Sequence, residues 1–277
     1  NFPLLGLDHI QVHHADALEY LQEMEPVDCL FLDPARRDSH GGKTVAITEC
    51  EPDVCALESL LVEKGRKVMV KLSPMLDMAS ALRDLKYIRE LHVIAVNNEC
   101  KELTAVLYQM NSVNESSEKE IVISCEQAVH NSLSEPFTYT LSEEKNAVCQ
   151  LADRVETYLY EPGAALLKAG PYRLLSQRYG VKKLHPNSHL YTSSVQVDFP
   201  GRCFQVTGIS GFGKKEVKEL LGGLEKANLI VRNFPASVAD LRKKLKLKEG
   251  GDVYLFATTL QNGEKVLIKC LKPALLS

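Results

Sequence analysis

Hydrophobic positions in residues 1–110 alternate between short apolar runs and longer amphipathic segments. The apolar runs predict strands, and the amphipathic segments predict helices. The predicted strands are HIQVHHAD (9–16), VDCLFLD (27–33), RKVMVKLSP (66–74), IRELHVIAVN (88–97) and ELTAVLYQM (102–110), and the predicted helices are ALEYLQEM (17–24), EPDVCALESLLVEKG (51–65) and MLDMASALRDL (75–85). The order β-α-β-α-β-α-β-β predicts a parallel α/β sheet. Because residues 98–101 are too short a link for a crossover helix, the last two strands form an antiparallel pair.

One apolar run, Cys29–Leu32, stops abruptly at Asp33 and Pro34. A short apolar run closed by proline predicts a buried strand of a parallel sheet, covered on both faces. Ligands of open parallel sheets bind just beyond the carboxyl ends of the strands. Asp33 is therefore a candidate site residue. The alternative interpretation is a solvated loop that ends a strand.

Two arginines, Arg36 and Arg37, follow soon after Asp33. An arginine can hold a phosphate group through two parallel hydrogen bonds. Arg36 is therefore a second candidate site residue, suited to a phosphate-bearing substrate. The alternative is that the arginines pair with nearby acids such as Asp38 and Glu51 and hold the loop.

The pattern changes after residue 110. Residues 111–150 are more polar, and IVISCE (121–126) and FTYTLS (137–142) are their predicted strands. From residue 201 the order is β-α-β-α-β-β, closed by a hairpin whose turn is Asn262-Gly263. The chain is therefore predicted to have three parts, an α/β domain at 1–110, a linking domain at 111–200 and a small module at 201–277.

Charge is distributed unevenly along the 277 residues. The whole chain has a net charge of −3, but residues 201–277 carry 14 Lys and Arg against 7 Asp and Glu. A basic module in an otherwise acidic chain is a candidate surface for an anionic partner, although lysine-rich faces are often only solvated. No run approaches the ~20 apolar residues of a membrane helix, and no signal peptide is visible. The eight cysteines have no metal-ligand spacing. We therefore expect reduced thiols, no metal site and a cytoplasmic protein.

Basic and aromatic residues cluster in two places. The segment VKKLHPNSHLYTS (181–193) is one, and the two predicted helices of the tail are the other. The candidate nucleic-acid contacts are Lys182, Lys183, His185, Lys214, Lys215, Arg242, Lys243 and Lys244. The glycine-flanked loop GFGKK (211–215) could also present free amides to a phosphate at a helix start. A zinc site at His185 and His189 is not expected, because Pro186 breaks any common helix face.

The first 110 residues resemble the second half of the class I S-adenosylmethionine-dependent methyltransferase fold, in which the last strand runs antiparallel to a parallel sheet. The resemblance assigns Asp16, with Ala17 beside it, to the adenine of the cofactor. Asp33-Pro34 matches the first half of the family's Asp-Pro-Pro-Tyr motif, which implies both cofactor and catalytic contacts. Lys71, in VKLSP, falls at the end of the next strand and also faces the site.

Two departures from that family are visible. The glycine-rich loop that cradles the cofactor is absent, as is the acidic residue that binds its ribose, so we expect the 277 residues alone to be inactive. Ala35-Arg36 replaces the Pro-Tyr half of the motif. Because the aromatic residue that stacks on a target base is missing, methylation of an exocyclic amine is in doubt.

Motifs along the whole chain resemble one bacterial family, class I methyltransferases with a ferredoxin-like domain and a THUMP-like C-terminal domain. The motifs are LFLDPARRD, VKLSPMLD, YLYEPGAALLKAG, KKLHPNSHLYTSS, RNFP and LKLKEGGDVYLFATTL. The resemblance implies an α/β fold made of the C-terminal part of a Rossmann-like methyltransferase sheet followed by small α+β domains. It also implies S-adenosylmethionine as the cofactor and RNA, either tRNA or rRNA, as the partner.

Three functions remain open from the sequence. The first is an RNA methyltransferase whose basic tail binds RNA. The second is an RNA-binding protein with an inactive methyltransferase fold. The third is a small-molecule methyltransferase with an unrelated accessory domain, which the basic tail disfavours. The fold alone does not choose between them.

Overall fold

The structure is a computed structural model that describes residues 2–36, 47–109, 120–129 and 132–273. The strands are β1 (Val27–Leu32), β2 (Ala35–Arg36), β3 (Cys50–Glu51), β4 (Gly65–Leu72), β5 (Ile88–Val96), β6 (Glu99–Tyr108), β7 (Val122–Val129), β8 (Ser132–Leu133), β9 (Phe137–Thr140), β10 (Tyr158–Pro162), β11 (Lys182–Lys183), β12 (Tyr191–Ser193), β13 (Gly201–Ser210), β14 (Asn228–Arg232), β15 (Val253–Thr259) and β16 (Lys265–Leu271). The helices are α1 (Ala17–Glu23), α2 (Val54–Lys64), α3 (Met78–Asp84), α4 (Leu141–Asn146), α5 (Ala164–Ala169), α6 (Tyr172–Tyr179), α7 (Lys214–Leu221) and α8 (Val238–Leu245), with 3-10 turns at Pro3–Leu5 and Ile47–Glu49.

The chain divides into two compact units. Unit 1 contains residues 1–92 and 102–121, and unit 2 contains residues 93–101 and 122–277. In unit 1 the strand order is β1-β4-β6-β5. Strand β1 runs parallel to β4, and β6 runs antiparallel to β4. The predicted parallel sheet with an antiparallel last strand is confirmed.

The predicted strand over residues 9–16 is wrong. These residues include a turn at His9 and a bend at Ala15, pair with no strand in the described part of the chain, and are all exposed. Ile10 and Val12 are 37% and 75% exposed. An extended segment becomes a strand only when a neighbour takes up its backbone hydrogen bonds, and no such neighbour is present among the described residues.

The expectation that β1 is buried on both faces is also wrong. Phe31 is 63% exposed, Val27 is 37% exposed, and Cys29 is an exposed thiol. Strand β1 is the edge of its sheet and pairs with β4 on one side only. Its apolar sequence is that of a covered strand, but four of its six residues are exposed and only Leu30 and Leu32 are half-buried. By contrast, Val68 and Val70 in β4 are fully buried.

Three aspartates start the helices of unit 1. Asp16, Asp53 and Asp77 cap α1, α2 and α3, and each side chain accepts hydrogen bonds from amides of the first turn. A carboxylate at this position satisfies amides that have no partner within the helix. Helix α2 ends at Gly65, the last residue of its predicted segment.

Helix α2 carries a buried carboxylate that links it to the start of β5. Glu58 is 3% exposed, and its two oxygens accept hydrogen bonds from the amides of Lys86 and Tyr87, each at 3.0 Å. These amides follow the end of α3 and precede β5. A buried carboxylate is tolerated only when it is hydrogen-bonded, so this contact fixes the α3–β5 connection.

Replacing Glu58 with alanine is expected to lower the free energy of unfolding by about 3 kcal/mol, because two amides lose a charged acceptor in a buried place. Chemical denaturation followed by circular dichroism measures this change. The matched control is Glu63→Ala on the same helix, where the side chain is exposed and a near-zero effect is expected. Equal losses in the two variants would contradict the assignment.

In unit 2, residues 93–101 form the tip of the β5–β6 hairpin, and β5 is the neighbour of β7. Its turn is Asn97-Asn98, with both residues in the left-handed conformation at φ 50° and 62°. Strand β7 pairs antiparallel with β8 and β9. The sequence prediction placed residues 127–136 in a connection and residues 141–142 in a strand. Instead β7 continues to Val129, β8 follows, and residues 141–142 begin α4.

A seven-stranded sheet forms the rest of unit 2, in the order β11-β12-β10-β13-β16-β15-β14. The pairs are antiparallel except β14 with β15, which is parallel. The predicted order β-α-β-α-β-β after residue 201 is confirmed. Strand β13 also pairs with β10, so one sheet runs through residues on both sides of position 200. Strands β10, β11 and β12 were missing from the sequence prediction.

The two faces of this sheet have separate cores. Strand β15 alternates between them, because successive side chains of a strand point to opposite faces. Tyr254 and Phe256 join one core, in which Phe204 lies 4.8 Å and 5.0 Å from their rings. Val253, Leu255 and Ala257 join the other core, which is covered by α7 and α8. The second face therefore carries the basic helices of the tail.

Candidate functional site

Asp33 and Lys71 form an ion pair at the carboxyl ends of two neighbouring parallel strands. Leu32 of β1 is paired in register with Val70 of β4, so the next residue of each strand lies side by side. The Nζ atom of Lys71 is 2.7 Å from Oδ2 of Asp33. The side chains are 38% and 57% exposed, respectively. The structure therefore brings together two of the three predicted catalytic side chains.

The charge state of Lys71 follows from its neighbours. The hydrogen bond to Asp33 and the charge of that carboxylate raise the pKa of Lys71, and Glu102 adds a smaller increase. Lys71 is therefore a cation at neutral pH and not a base. It holds the Asp33 carboxylate by a charge-assisted hydrogen bond. The pair presents a fixed hydrogen-bond acceptor at the sheet edge.

The chain continues from Asp33 through Pro34 into a short ladder. Ala35 and Arg36 form β2, which pairs antiparallel with β3. This pairing fixes the backbone of Arg36, which lies three positions after Asp33 in the sequence. Arg37, the other arginine of the motif, lies outside the described residues, as does Asp38.

Asp16 and Ala17, the residues that the resemblance assigns to the cofactor, start α1. One oxygen of Asp16, Oδ1, accepts hydrogen bonds from Leu18 N at 2.8 Å and Glu19 N at 3.1 Å. In the described part of the chain the other oxygen, Oδ2, makes no hydrogen bond. Asp16 is exposed, so Oδ2 is available to accept a hydrogen bond from the amine of an adenine ring.

The four residues that the resemblance assigns to the cofactor differ in exposure. Asp16, Ala17 and Asp33 are exposed, and Pro34 is half-buried. Carboxylate oxygens and a sheet edge suit the polar groups of S-adenosylmethionine. The exposed edge strand β1 shows that the described residues form a wall and not an enclosed pocket.

The predicted RNA contacts of the tail lie on two helices. Lys214 and Lys215 are exposed in the first turn of α7, and Lys243 and Lys244 are exposed in the last turn of α8. The ammonium of Lys244 also lies 5.7 Å from the centre of the Phe212 ring.

Arg242 differs from its neighbours in α8. Its Nη1 donates to the carbonyl of Ala227 at 3.3 Å. The side chain is therefore engaged in holding α8 to the start of β14 and presents less of its charge to solvent than the adjacent lysines.

The predicted contacts in residues 181–193 are largely occupied by neighbours. Lys182 pairs with Glu156, with Nζ 2.8 Å from Oε1. Lys183 is 5% exposed, and its Nζ donates to the carbonyl of Pro186 at 2.7 Å. Nδ1 of His185 lies 3.0 Å from the side-chain nitrogen of Asn233. These three side chains support the local structure in this geometry.

The loop GFGKK does not present a free anion site. The amide of Gly213 donates to Oε2 of Glu216 at 3.1 Å. The carboxylate of Glu216 thereby occupies the start of α7 and adds a negative charge there. A phosphate at this helix start would have to displace it.

Sequence reasoning missed the most buried charged group of unit 2. Glu161 in β10 is 1% exposed and pairs with both Arg202 and Arg232. The signal was present as a charged residue in the run YLYEP, since a charge in an apolar strand is buried only when it is paired. The run was treated only as the segment before a helix.

His189 is constrained by its backbone and by an aromatic ring. Its φ is 53°, a left-handed conformation that is uncommon for residues other than glycine. Its ring stacks on Tyr172 with centres 3.7 Å apart and planes 19° apart. Nδ1 is buried without a hydrogen-bond partner among the described residues. Burial lowers the pKa of His189 to about 4, helped by the charges of Lys183 and Arg232.

His189 is therefore expected to stay neutral down to about pH 5, which an NMR titration of the histidine ring protons will check. Its folded pKa lies below the unfolded value of about 6.5. Its contribution to stability is thus complete above that value and is lost as the pH falls toward 4. The His189→Gln variant should show less loss of stability over this range than the wild type, whereas His185→Gln should behave as the wild type. A His189 pKa near 6.5 would contradict this account.

The described residues contain neither a candidate membrane-spanning helix nor a candidate metal-binding cluster. No helix in residues 2–36, 47–109, 120–129 and 132–273 is both long and apolar enough to cross a membrane. In the same residues no three histidine, cysteine or acidic side chains are grouped to hold a metal ion. None of the eight cysteines, all of which lie in the described residues, forms a disulfide bond.

Comparisons with known proteins agree with the fold. Residues 158–200 match a ferredoxin-like domain, and residues 201–272 match a THUMP domain-like family. A crystal structure described as that of a putative methyltransferase from Porphyromonas gingivalis W83 is similar, with a TM-score of 0.80 and 36% sequence identity. The match covers 89% of this chain and 60% of that one. No curated protein sequence matches the chain.

The chain thus has an α/β fold with ferredoxin-like and THUMP-like domains in its C-terminal part, as the resemblance in the sequence implied. It spans 60% of the length of the similar structure. The fold and the THUMP-like domain fit a methyltransferase.

Proposed function

We propose that the protein transfers a methyl group from S-adenosylmethionine to RNA, with the α/β domain carrying the chemistry and the THUMP-like domain binding the RNA. The observation that carries this proposal is the ion pair of Asp33 and Lys71 at adjoining carboxyl ends of parallel strands. Ligands of open α/β sheets bind at this edge. The similar structure described as a putative methyltransferase supports the same reaction class.

The cofactor would supply a methyl group made reactive by a positively charged sulfur. The chain has to hold the acceptor atom in line with that methyl group and to receive its proton. Asp33 is suited to both tasks, because its carboxylate can accept a hydrogen bond from an N–H or O–H of the acceptor. Lys71 holds this carboxylate in place by its hydrogen bond to Oδ2.

Arg36 has a proposed role in the binding of a substrate phosphate. The ladder of β2 with β3 fixes its backbone close to Asp33, and a guanidinium group matches the geometry of a phosphate. This would place a phosphate of the RNA near the acceptor atom. The catalytic role of Arg36 belongs to the same proposal.

The cofactor contacts proposed here are Asp16, Ala17, Asp33 and Pro34. Among the described residues Oδ2 of Asp16 makes no hydrogen bond, so it is available to the adenine, and Asp33 and Pro34 follow the carboxyl end of β1.

The proposed RNA surface consists of the exposed lysines of α7 and α8. They lie in the module with 14 basic and 7 acidic residues, and the THUMP-like match covers that module. Binding to tRNA or rRNA in the cytoplasm is part of the proposal. The division into domains at 1–110, 111–200 and 201–277 is proposed with it.

A direct experiment tests this function. The whole protein is incubated with methyl-labelled S-adenosylmethionine and with separate pools of tRNA, rRNA and small metabolites. Label is expected in one RNA pool and not in the metabolites. Label only in the metabolites would reject RNA as the substrate.

A second candidate is an RNA-binding protein that has the fold without the reaction. The observation that favours it is the open site, since β1 is exposed and the described residues supply only one wall. Tight RNA binding by the whole protein without binding of S-adenosylmethionine in calorimetry would support this candidate over the first.

A further inference from the structure

One buried carboxylate in unit 2 is shared by two arginines from different strands. Glu161 lies in β10, Arg202 in β13 and Arg232 at the end of β14. Oε2 of Glu161 accepts from Nε of Arg202 at 2.8 Å, and also from its Nη2. Oε1 accepts from Nε of Arg232 at 2.9 Å and lies 2.7 Å from its Nη2. The two guanidinium groups are therefore neighbours on one carboxylate.

Each arginine retains donors that Glu161 does not use. Both bind the carboxylate through the Nε–Nη2 edge, and in the described part of the chain Nη1 of neither arginine makes a hydrogen bond. The side chain of Arg202 is 39% exposed and that of Arg232 is 36% exposed, whereas Glu161 is 1% exposed. The negative partner is thus hidden, whereas about a third or more of each arginine side chain reaches the surface.

The local charge is positive beyond what Glu161 requires. One arginine would neutralise the carboxylate, so the second leaves an excess charge. Lys183 adds a further cation, and its charge and that of Arg232 both help to lower the pKa of His189.

Glu144 is an acid that acts on Lys183, and its carboxylate accepts hydrogen bonds from the amides of Arg173 and Leu174 at 2.9 Å and 3.0 Å. These neutral donors leave its charge in place, so the three cations named above exceed this carboxylate and that of Glu161 by one charge. Two neighbouring guanidinium groups with free donors and an unbalanced charge have the chemistry that recognises a tetrahedral oxyanion.

We propose that Arg202 and Arg232 form a phosphate-binding site that is held in shape by Glu161. The site differs from the lysine surface of α7 and α8 in its strands and its residues. The phosphate comes either from the backbone of a polynucleotide or from a terminal phosphate. The binding of phosphate does not depend on the proposed RNA function. Only the choice between these two sources of phosphate depends on it.

The first experiment uses inorganic phosphate as the probe. Binding to the full chain at low ionic strength is followed by calorimetry and by the rise in melting temperature. Arg202→Lys and Arg232→Lys should each weaken phosphate binding about tenfold, because one ammonium group cannot satisfy Glu161 and a phosphate together. Circular dichroism establishes that each variant is folded.

Arg178→Lys is the matched control. Arg178 is also an arginine paired with a glutamate, Glu143, and its side chain is 33% exposed. It lies over the ring of Phe137 at 4.6 Å, but no second arginine among the described residues shares the Glu143 carboxylate. Its replacement should leave phosphate binding unchanged.

Glu161→Gln separates a structural role from a binding role. This variant should melt at a lower temperature but keep or strengthen phosphate binding, because both arginines remain and their charged competitor is gone. The proposal is overturned if the wild type binds no phosphate, if the two arginine variants bind it as well as Arg178→Lys does, or if Glu161→Gln remains folded but loses the binding.

Two oligonucleotides identify the source of the phosphate. They have the same sequence, and one carries a 5′-phosphate. If backbone phosphates fill the site, Arg232→Lys weakens both equally, and if a terminal phosphate fills it, the variant removes only the advantage of the 5′-phosphate. The lysine variant of α7 and α8 is tested for phosphate binding as well. If it loses RNA binding but still binds inorganic phosphate, the RNA surface and the phosphate site at Arg202 and Arg232 are independent of each other.

Discussion

Asp33→Asn in the whole protein is expected to lower methyl transfer to RNA by about 100-fold or more, because a positioned acceptor of the substrate's proton contributes on this scale. The asparagine keeps the size of the side chain but loses the negative charge that Lys71 holds at 2.7 Å. The affinity for RNA and the melting temperature should change little, since Asp33 is 57% exposed and lies far in sequence from the basic helices. Initial rates with labelled cofactor at saturating RNA measure the effect.

The same strand offers a matched control. Asp28, in β1, pairs with Arg66 at 3.2 Å near the start of β4, and both side chains are more than 80% exposed. Asp28→Asn removes the same charge from the same strand but at its opposite end, so methyl transfer should be unchanged.

Lys71 provides an independent check of the mechanism. Lys71→Met should reduce the rate as well, because Asp33 loses its hydrogen-bond donor. The double variant should be little worse than Asp33→Asn alone, since the two residues act as one unit. Unchanged methylation by Asp33→Asn would leave Asp33 as a residue that only ends the strand.

Removing four of the five exposed lysines of α7 and α8 should weaken RNA binding by about 100-fold at low salt. It should also reduce the slope of log affinity against log salt concentration by about 3, if each lysine contacts one phosphate of a single strand. The variant replaces four residues with alanine, Lys214, Lys215, Lys243 and Lys244. Arg242 stays in place because its guanidinium group holds the carbonyl of Ala227. Fluorescence anisotropy with a structured RNA at several salt concentrations measures both quantities.

A control variant loses the same total charge elsewhere. It replaces four other exposed lysines with alanine, namely Lys86, Lys101, Lys145 and Lys265. If this variant weakens RNA binding as much as the first, the effect is one of net charge and not of a surface. If neither variant has an effect, the tail does not bind RNA and a protein partner becomes the better interpretation of its charge.

Local signals in the sequence determined most of the helices and their ends. Asp77 and Ser237 are of residue types that favour helix starts, and both accept hydrogen bonds from the first turn of their helices. Gly180 follows α6 in the left-handed conformation that favours glycine at a helix end, with φ 63°. Signals of this kind are reliable because a cap depends on residues three or four positions apart. The order of strands and helices after residue 201 followed from the same short-range patterns.

Burial was less predictable, because it depends on what lies against an element. The apolar strand β1 was expected to be covered, yet Phe31 is exposed at the edge of the sheet. Lys183 was expected to contact RNA, yet its side chain is buried and its Nζ donates a hydrogen bond to the carbonyl of Pro186. Neither outcome can be read from hydrophobicity alone, since neighbours from distant parts of the chain decide which faces are covered.

The sequence by itself determined the α/β character of the first domain, the antiparallel last strand, the basic tail and the candidate acid Asp33. Only the tertiary structure decided which charged groups meet. Asp33 pairs with Lys71, 38 positions away, because strand register aligns β1 with β4. Glu161 meets Arg232, 71 positions away, because the second sheet brings the end of β14 to β10. A sequence records which side chains can form an ion pair, but sheet order and register choose the partners.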